Sequence, residues 1–183
     1  MEKQINKISK YLSFILRHKP ETIGLTLDVN GWAEIDQLIA NTTDFQLSHH
    51  LINVVVETND KQRFIINHQN GKIRANQGHS IDVDLNLKPS LPPQTLFHGT
   101  TEQYYKNIKI EGLNKQKRHH VHLSEDMSVA ISVGSRYGKI VLLEVDTQKM
   151  SDEGFVFYKT ANNVWLVDEI PTQYLTKKEW VNS

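Results

Sequence analysis

Arginine and histidine recur in this chain where regular elements should end. Leu16-Arg17-His18-Lys19-Pro20 closes an apolar-periodic segment with consecutive cationic or titratable side chains. Two chemistries suit that pattern. Cations in a last helical turn complement the negative end of the helix dipole and stay solvated. An Arg can also grip phosphate through paired N–H donors, with a neighbouring His adding a bond. Arg63 opens the apolar run Phe64-Ile65-Ile66 directly after the polar stretch Asn59-Asp60-Lys61-Gln62. It reads either as an edge-strand surface residue or as a second phosphate ligand. Arg74-Ala75-Asn76-Gln77-Gly78-His79-Ser80 is polar without packing logic, and such runs line sites or merely turn.

His98-Gly99-Thr100 follows a short apolar run and precedes a helical pattern. Glycine there permits close backbone approach to a ligand, and a helix start favours an anion. His98 and Thr100 could bond ribose hydroxyls; the plainer reading is a strand–helix turn with a Thr cap. Arg118-His119-His120-Val121-His122-Leu123-Ser124 is the densest cluster. His120 and His122 alternate and so share one strand face. An HxH pair with no carboxylate at ligand spacing is weak evidence for a metal, and no metal is expected. Hydrogen bonding by neutral His suits these residues better. Ser132-Val-Gly-Ser-Arg136-Tyr-Gly138 is a glycine-flanked loop, but neither a dinucleotide fingerprint nor a P-loop. It reads as a pyrophosphate cradle or a flexible turn. Asn162 and Asn163 precede the apolar run Val164-Trp165-Leu166, with no catalytic carboxylate in view.

Composition narrows the chemistry. The 183 residues carry 21 Lys plus Arg against 21 Asp plus Glu, with no Cys. Zero cysteine excludes a disulfide framework, a thiolate metal site and a Cys nucleophile. Charge balance argues against broad coating of a polyanion and suits recognition of one multiply charged group in a cleft. No apolar run approaches the ~20 residues of a membrane span. The start MEKQINKISKYLSF lacks an apolar h-region, so a cytoplasmic protein without a secretory signal is expected.

The elements that must position these groups fall into two sets. Ile5, Ile8, Leu12, Ile15 and Leu16 predict a helix over 4–18, stopped by Pro20. Residues 25–29 alternate, with Asn30-Gly31 as a turn. Further helices are predicted over Trp32–Ala40 and Leu47–Glu57. A hairpin of 63–67 and 72–76 turns at Asn70-Gly71. Helices followed by a hairpin give the winged-helix pattern. Residues 81–95, with Pro89, Pro92 and Pro93, read as a linker. Beyond it short strands are predicted at 95–98, 121–124, 140–145, 155–158 and 164–167. Helices are predicted at Thr101–Ile110, closed by Gly112, and at Met127–Val133, closed by Gly134. The fold class is therefore α+β, with domains at 1–85 and 86–183 and a mostly antiparallel sheet in the second.

These runs, taken together, resemble the RNA 2′-phosphotransferases. The likeness rests on Leu12-Ser-Phe-Ile-Leu-Arg-His18, Asp28-Val-Asn-Gly-Trp32, Asn59-Asp-Lys-Gln-Arg-Phe64, Ala75-Asn-Gln-Gly-His-Ser80, Phe97-His-Gly-Thr100, His120-Val-His-Leu-Ser124 and Asn163-Val-Trp-Leu166, in the family's order. The resemblance implies an N-terminal winged-helix lobe and a C-terminal lobe of the ADP-ribosyltransferase fold. It implies Arg17, His18, Arg63 and Arg118 as catalytic residues. It implies His98, Gly99, Thr100, His122, Ser124, Arg136 and Val164 as the NAD-binding set, with Val164 where that fold usually carries a catalytic Glu. An apolar residue there fits a nucleophile already anionic, which needs no base. His119 after Arg118 and Lys159-Thr160 depart from the family's common residues.

The implied reaction uses NAD to remove an internal 2′-phosphate from RNA, as in tRNA splicing. The phosphate attacks the nicotinamide ribose and nicotinamide leaves. The 2″-hydroxyl then attacks that phosphate, giving 2′-hydroxyl RNA and ADP-ribose 1″,2″-cyclic phosphate. The expected partners are a tRNA-like RNA and NAD, with no membrane and a monomeric protein. Two alternatives remain open here: ADP-ribosyl transfer to terminal nucleic-acid phosphates, and a non-catalytic winged-helix binding module with a degenerate NAD lobe.

Overall fold

A computed structural model describes residues 2–179. The chain divides between Asn86 and Leu87 into two compact units, each with its own apolar core. Both mix helices with small antiparallel sheets, so the fold is α+β. No helix among the described residues is long and apolar enough to cross a membrane.

In the first unit α1 (Glu2–Arg17) buries Ile8, Leu12, Ile15 and Leu16, the three- and four-residue stripe. It packs against α3 (His49–Glu57), which buries Ile52 and Val55. Between them in sequence come β1 (Ala33–Glu34) and α2 (Ile35–Asn41). β2 (Phe64–Asn67) and β3 (Lys72–Ala75) form the expected hairpin, with β1 on the far side in the order β1-β3-β2. Phe64 pairs with Ala75 and Ala33 with Ile73, which puts Phe64, Ile73 and Ala75 in the core. The helix expected from Trp32 starts instead at Ile35. Ala33 and Glu34 are taken up by strand pairing, and the Trp32 indole stacks on the Arg74 guanidinium at 4.6 Å. Cross-strand geometry has overridden a helical pattern.

The second unit begins its regular structure with β4 (Thr95–Thr101) and α4 (Glu102–Glu111), then β5 (Leu113–Asn114) and β6 (Val121–Leu123). α5 (Met127–Gly134), β7 (Ile140–Asp146) and α6 (Thr147–Asp152) follow. β8 (Tyr158–Lys159), β9 (Trp165–Val167), β10 (Glu169–Ile170) and β11 (Leu175–Lys178) complete it. The sheets run β11-β7-β4, β6-β9-β8 and β10-β5, all antiparallel. Phe97 and Ser124 exchange both backbone bonds, at 2.8 and 2.9 Å, and so stitch β4 to the end of β6. α6 and β11 carry no strong pattern in sequence. The Asp146 carboxylate caps α6 by accepting from the Lys149 amide, and β11 pairs from Leu175↔Val145 to Lys178↔Leu142.

α5 fixes the height of β4. A Cβ on Gly99 would stand 1.8 Å from the Ala130 carbonyl oxygen, and one on Gly134 would stand 2.8 Å from the Gly99 carbonyl carbon. Two glycines let helix and strand backbones touch. Gly134 therefore does not close the helix as expected; it is helical at φ −67 and ψ −38, and the chain continues into a tight turn at Ser135–Tyr137.

Candidate functional site

In the first unit three expected residues gather at the end of α1 and the start of β2. Arg17 is the last residue of α1, and the His18 amide still donates to the Phe14 carbonyl. The Arg17 guanidinium lies 6.0 Å from the ring of Phe64, the residue after Arg63. Arg63 itself is held through Asn59, whose side-chain oxygen accepts from Arg63 Nη1 at 3.2 Å and from the Arg63 amide at 3.4 Å. The other end of that amide donates to Ser9 Oγ at 3.0 Å, tying the arrangement to α1. Burial pulls the Arg63 pKa down from its ordinary value and the Asp60 charge works against that. Its partner is a neutral amide, so the guanidinium charge is kept.

The polar run after β3 has a structural reason that sequence did not supply. The Asn76 amide donates to the Arg63 carbonyl at 2.9 Å, and Asn76 Nδ2 donates to the Gln62 carbonyl at 2.6 Å. Gln62 takes a left-handed φ of 41°, which that bond stabilises. His79 is buried beside Gly31. The Ser80 amide then donates to the Arg17 carbonyl at 2.9 Å, and Ser80 Oγ bonds His18 Nδ1 at 2.9 Å. One short segment thus spans from the backbone of Arg63 to that of Arg17.

In the second unit the group centres on His98, Arg118 and His122. The His98 ring nitrogen Nδ1 lies 2.9 Å from the His122 carbonyl. A carbonyl only accepts, so Nδ1 carries the proton. Burial pushes the His98 pKa below the usual histidine value; the bond to His122 opposes this and the Arg118 charge adds to it. His98 is therefore a neutral ring whose Nε2 is an acceptor. Arg118 follows a turn at Lys115 and donates from Nη1 to His122 Nδ1 at 3.4 Å. An Arg cannot accept, so a neutral His122 keeps its proton on Nε2. The two histidines offer opposite polarity at corresponding ring positions, one accepting and one donating.

Gly99, Thr100, Ser124 and Val164 lie on or beside the strands that carry His98 and His122, whereas Arg136 lies outside them. Gly99 and Thr100 sit in β4 where α5 crosses it, and Thr100 is buried. Ser124 accepts from the Asp126 amide through Oγ. Arg136 is exposed in the turn after α5. Val164 is half-buried and clasped by Thr160, whose amide donates to the Val164 carbonyl and whose hydroxyl accepts from the Val164 amide at 3.0 Å. His120 turns to other work. Its ring is 3.8 Å from an Asp168 carboxylate oxygen and edge-on to Tyr158. Among the described residues no group of three His, Asp or Glu could hold a metal ion.

Residues 3–169 match the model of the family described as RNA 2′-phosphotransferase, Tpt1 / KptA family. The chain belongs to that family. Curated relatives carry the same description, each as a probable RNA 2′-phosphotransferase. The protein of Acaryochloris marina is 48% identical over 181 residues, covering 98% of this chain and all of the relative. That of Rhodopirellula baltica is 51% identical over 178 residues, covering 96% of this chain and 97% of the relative. That of Flavobacterium johnsoniae is 50% identical over 173 residues, covering 93% and 95%. Every candidate residue named above falls within the span matched by the RNA 2′-phosphotransferase model. As a member of this family the chain is a phosphotransferase enzyme. Sequence reasoning missed Asn59, Asn76 and Ser9 as supports. Asn59 stood in a quoted run, but its side chain reaches Ser9 across 50 positions, which no local pattern encodes.

Proposed function

We propose that the protein removes an internal 2′-phosphate from RNA in an NAD-dependent reaction that yields 2′-hydroxyl RNA, nicotinamide and ADP-ribose 1″,2″-cyclic phosphate. The observation that carries this reading is that Arg63 and Arg118 are each held by a neutral acceptor, Asn59 and His122, rather than by a carboxylate. Arginines fixed this way are oriented but not neutralised, which is what a phosphate dianion requires. Arg17, Arg63 and Arg118 supply that charge, and His18 adds a donor. The first unit is read as a winged-helix lobe, on its helices followed by a β-hairpin, and the second as an ADP-ribosyltransferase-like lobe.

The acceptor His98 and donor His122 fit the ribose of NAD, with Gly99, Thr100, Ser124, Arg136 and Val164 completing the proposed binding set. NAD, when bound, supplies an electrophilic ribose carbon and nicotinamide as its leaving group. The chain contributes chiefly orientation and charge. As charge builds on the non-bridging phosphate oxygens, the same guanidinium groups stabilise it. Val164 offers no base, and none is needed for a phosphate nucleophile already ionised. A tRNA-like RNA is the proposed substrate.

The test is incubation with NAD and an oligonucleotide bearing one internal 2′-phosphate, resolving 2′-hydroxyl product from ADP-ribosylated RNA. Conversion to the 2′-hydroxyl form supports the reading. A persistent adduct supports ADP-ribosyl transfer instead, and nucleotide binding without nicotinamide release supports a non-catalytic module. Arg17→Ala, Arg63→Ala and Arg118→Ala should each cost about 3 kcal/mol or more of transition-state stabilisation, the magnitude of losing one oxyanion-hole donor. Near-normal turnover in all three variants overturns the assignment.

A further inference from the structure

The Ser80 hydroxyl lies 2.9 Å from His18 Nδ1, and the Ser80 amide donates to the Arg17 carbonyl at the same distance. The two bonds have different consequences. The backbone bond docks the segment against the last turn of α1 whatever side chain residue 80 carries. The hydroxyl, on a side chain with a single heavy-atom torsion, then meets the imidazole with little freedom left. Asn76 anchors the near end of the segment to Arg63, and buried His79 fixes its middle. Ser80 is thus delivered to His18 by contacts that do not involve its own hydroxyl.

The partner of one imidazole nitrogen decides what the other offers. Phosphate oxygens accept, so a neutral His18 facing one must carry its proton on the nitrogen turned toward it. With Nδ1 engaged by Ser80, that nitrogen is Nε2. We propose that Ser80 is the positioning residue for His18: its hydroxyl donates to Nδ1, which fixes the ring rotamer and keeps the proton on Nε2, toward the RNA 2′-phosphate. Ser80 touches no reacting atom in this arrangement. The inference rests on the proposed function for the identity of the phosphate, while the hydrogen bond and the tautomer are properties of the enzyme alone.

The experiment compares Ser80→Ala and Ser80→Thr with the parent in the full chain. Both retain the amide bond to Arg17, so the comparison isolates the hydroxyl. The first readout is the nitrogen-15 and proton spectrum of the His18 ring, assigned by difference from His18→Asn. The parent and Ser80→Thr should show predominantly the Nε2–H tautomer, and Ser80→Ala a mixture of the two tautomers. The second readout is turnover of the 2′-phosphorylated oligonucleotide. Ser80→Ala should lower kcat by on the order of 10- to 100-fold, the range found on removing the hydrogen-bond partner that orients a metal-bound histidine, with KM for NAD within about twofold. Ser80→Thr should recover most of it. An unchanged His18 ring pattern in Ser80→Ala, or a parent ring protonated on Nδ1, overturns the proposal even if catalysis is confirmed. Equal loss in the Thr and Ala variants also overturns it, because a hydroxyl then restores nothing. If the parent fails to turn over the oligonucleotide, the functional reading falls while the ring spectra still decide the role of Ser80.

Discussion

Arg63 loses its freedom and keeps its charge because the atom that holds it is an amide oxygen. That choice is testable at Asn59. Asn59→Ala removes bonds to Arg63 and to Ser9 and should cost ~1–3 kcal/mol of stability, read as a shift in the urea midpoint. Asn59→Asp keeps the acceptor but adds a carboxylate that competes with phosphate, so it should raise KM for phosphorylated RNA beyond the Ala variant. Equal KM in the two variants would count against a phosphate at Arg63. His98 gives a prediction in pH. Its pKa is lowered in the folded state by burial, so the unfolded chain takes up the proton first on acidification. The neutral ring's contribution to stability is complete above the unfolded value of about 6.5 and is lost as pH falls below it. His98→Asn should therefore lose less stability than the parent between pH 8 and pH 5. Parallel urea midpoints for both proteins across that range would show that His98 does not contribute.

At the scale of elements, sequence was legible where one stripe of residues decides the outcome. The apolar positions of α1 predicted the helix to within two residues at its start, and Asn70-Gly71 predicted the β2–β3 turn. It was illegible where an element is fixed by a partner distant in sequence. β11 exists because β7 offers an edge, and Trp32 leaves the helix because Arg74 and Ile73 claim its neighbourhood. The candidate site divides the same way. Residue types and order single out Arg17, His18, Arg63, His98, Arg118 and His122 as candidates only, while the bonds made by Ser9, Asn59 and Asn76 depend on partners distant in sequence. Gly99 was singled out for close approach to a ligand, and its backbone in fact meets α5, a reason independent of any ligand. Gly99→Ala should destabilise by about 3 kcal/mol, the upper end of overpacking, because the obstructing atom is a backbone carbonyl. Gly71→Ala is the control. At φ +62 with nothing within 4 Å of the added carbon, it should cost only the left-handed strain of ~1–2 kcal/mol. Equal thermal shifts in the two variants would refute the packing argument.

For the whole molecule, balanced charge sets what kind of RNA binder this can be. With 21 cationic and 21 anionic side chains, attraction to a bare phosphodiester backbone is weak. Affinity for an unphosphorylated oligonucleotide should be low, and one internal 2′-phosphate should supply most of the binding. Titrations of matched oligonucleotides at several salt concentrations check this, and equal affinity for both would defeat it.

The stretch from Asn76 to Ser80 works as a gauge block between the two arginines proposed to hold one phosphate. Because it is bonded to the main chain of Arg63 at one end and of Arg17 at the other, its residue count must match the spacing between them. Substitutions at Gln77 leave that distance alone, Gly78 at a left-handed φ of 85° takes a side chain only with strain, and a single inserted or deleted residue changes the distance. Natural variation in this stretch should therefore appear as exchanges of side chain at constant length.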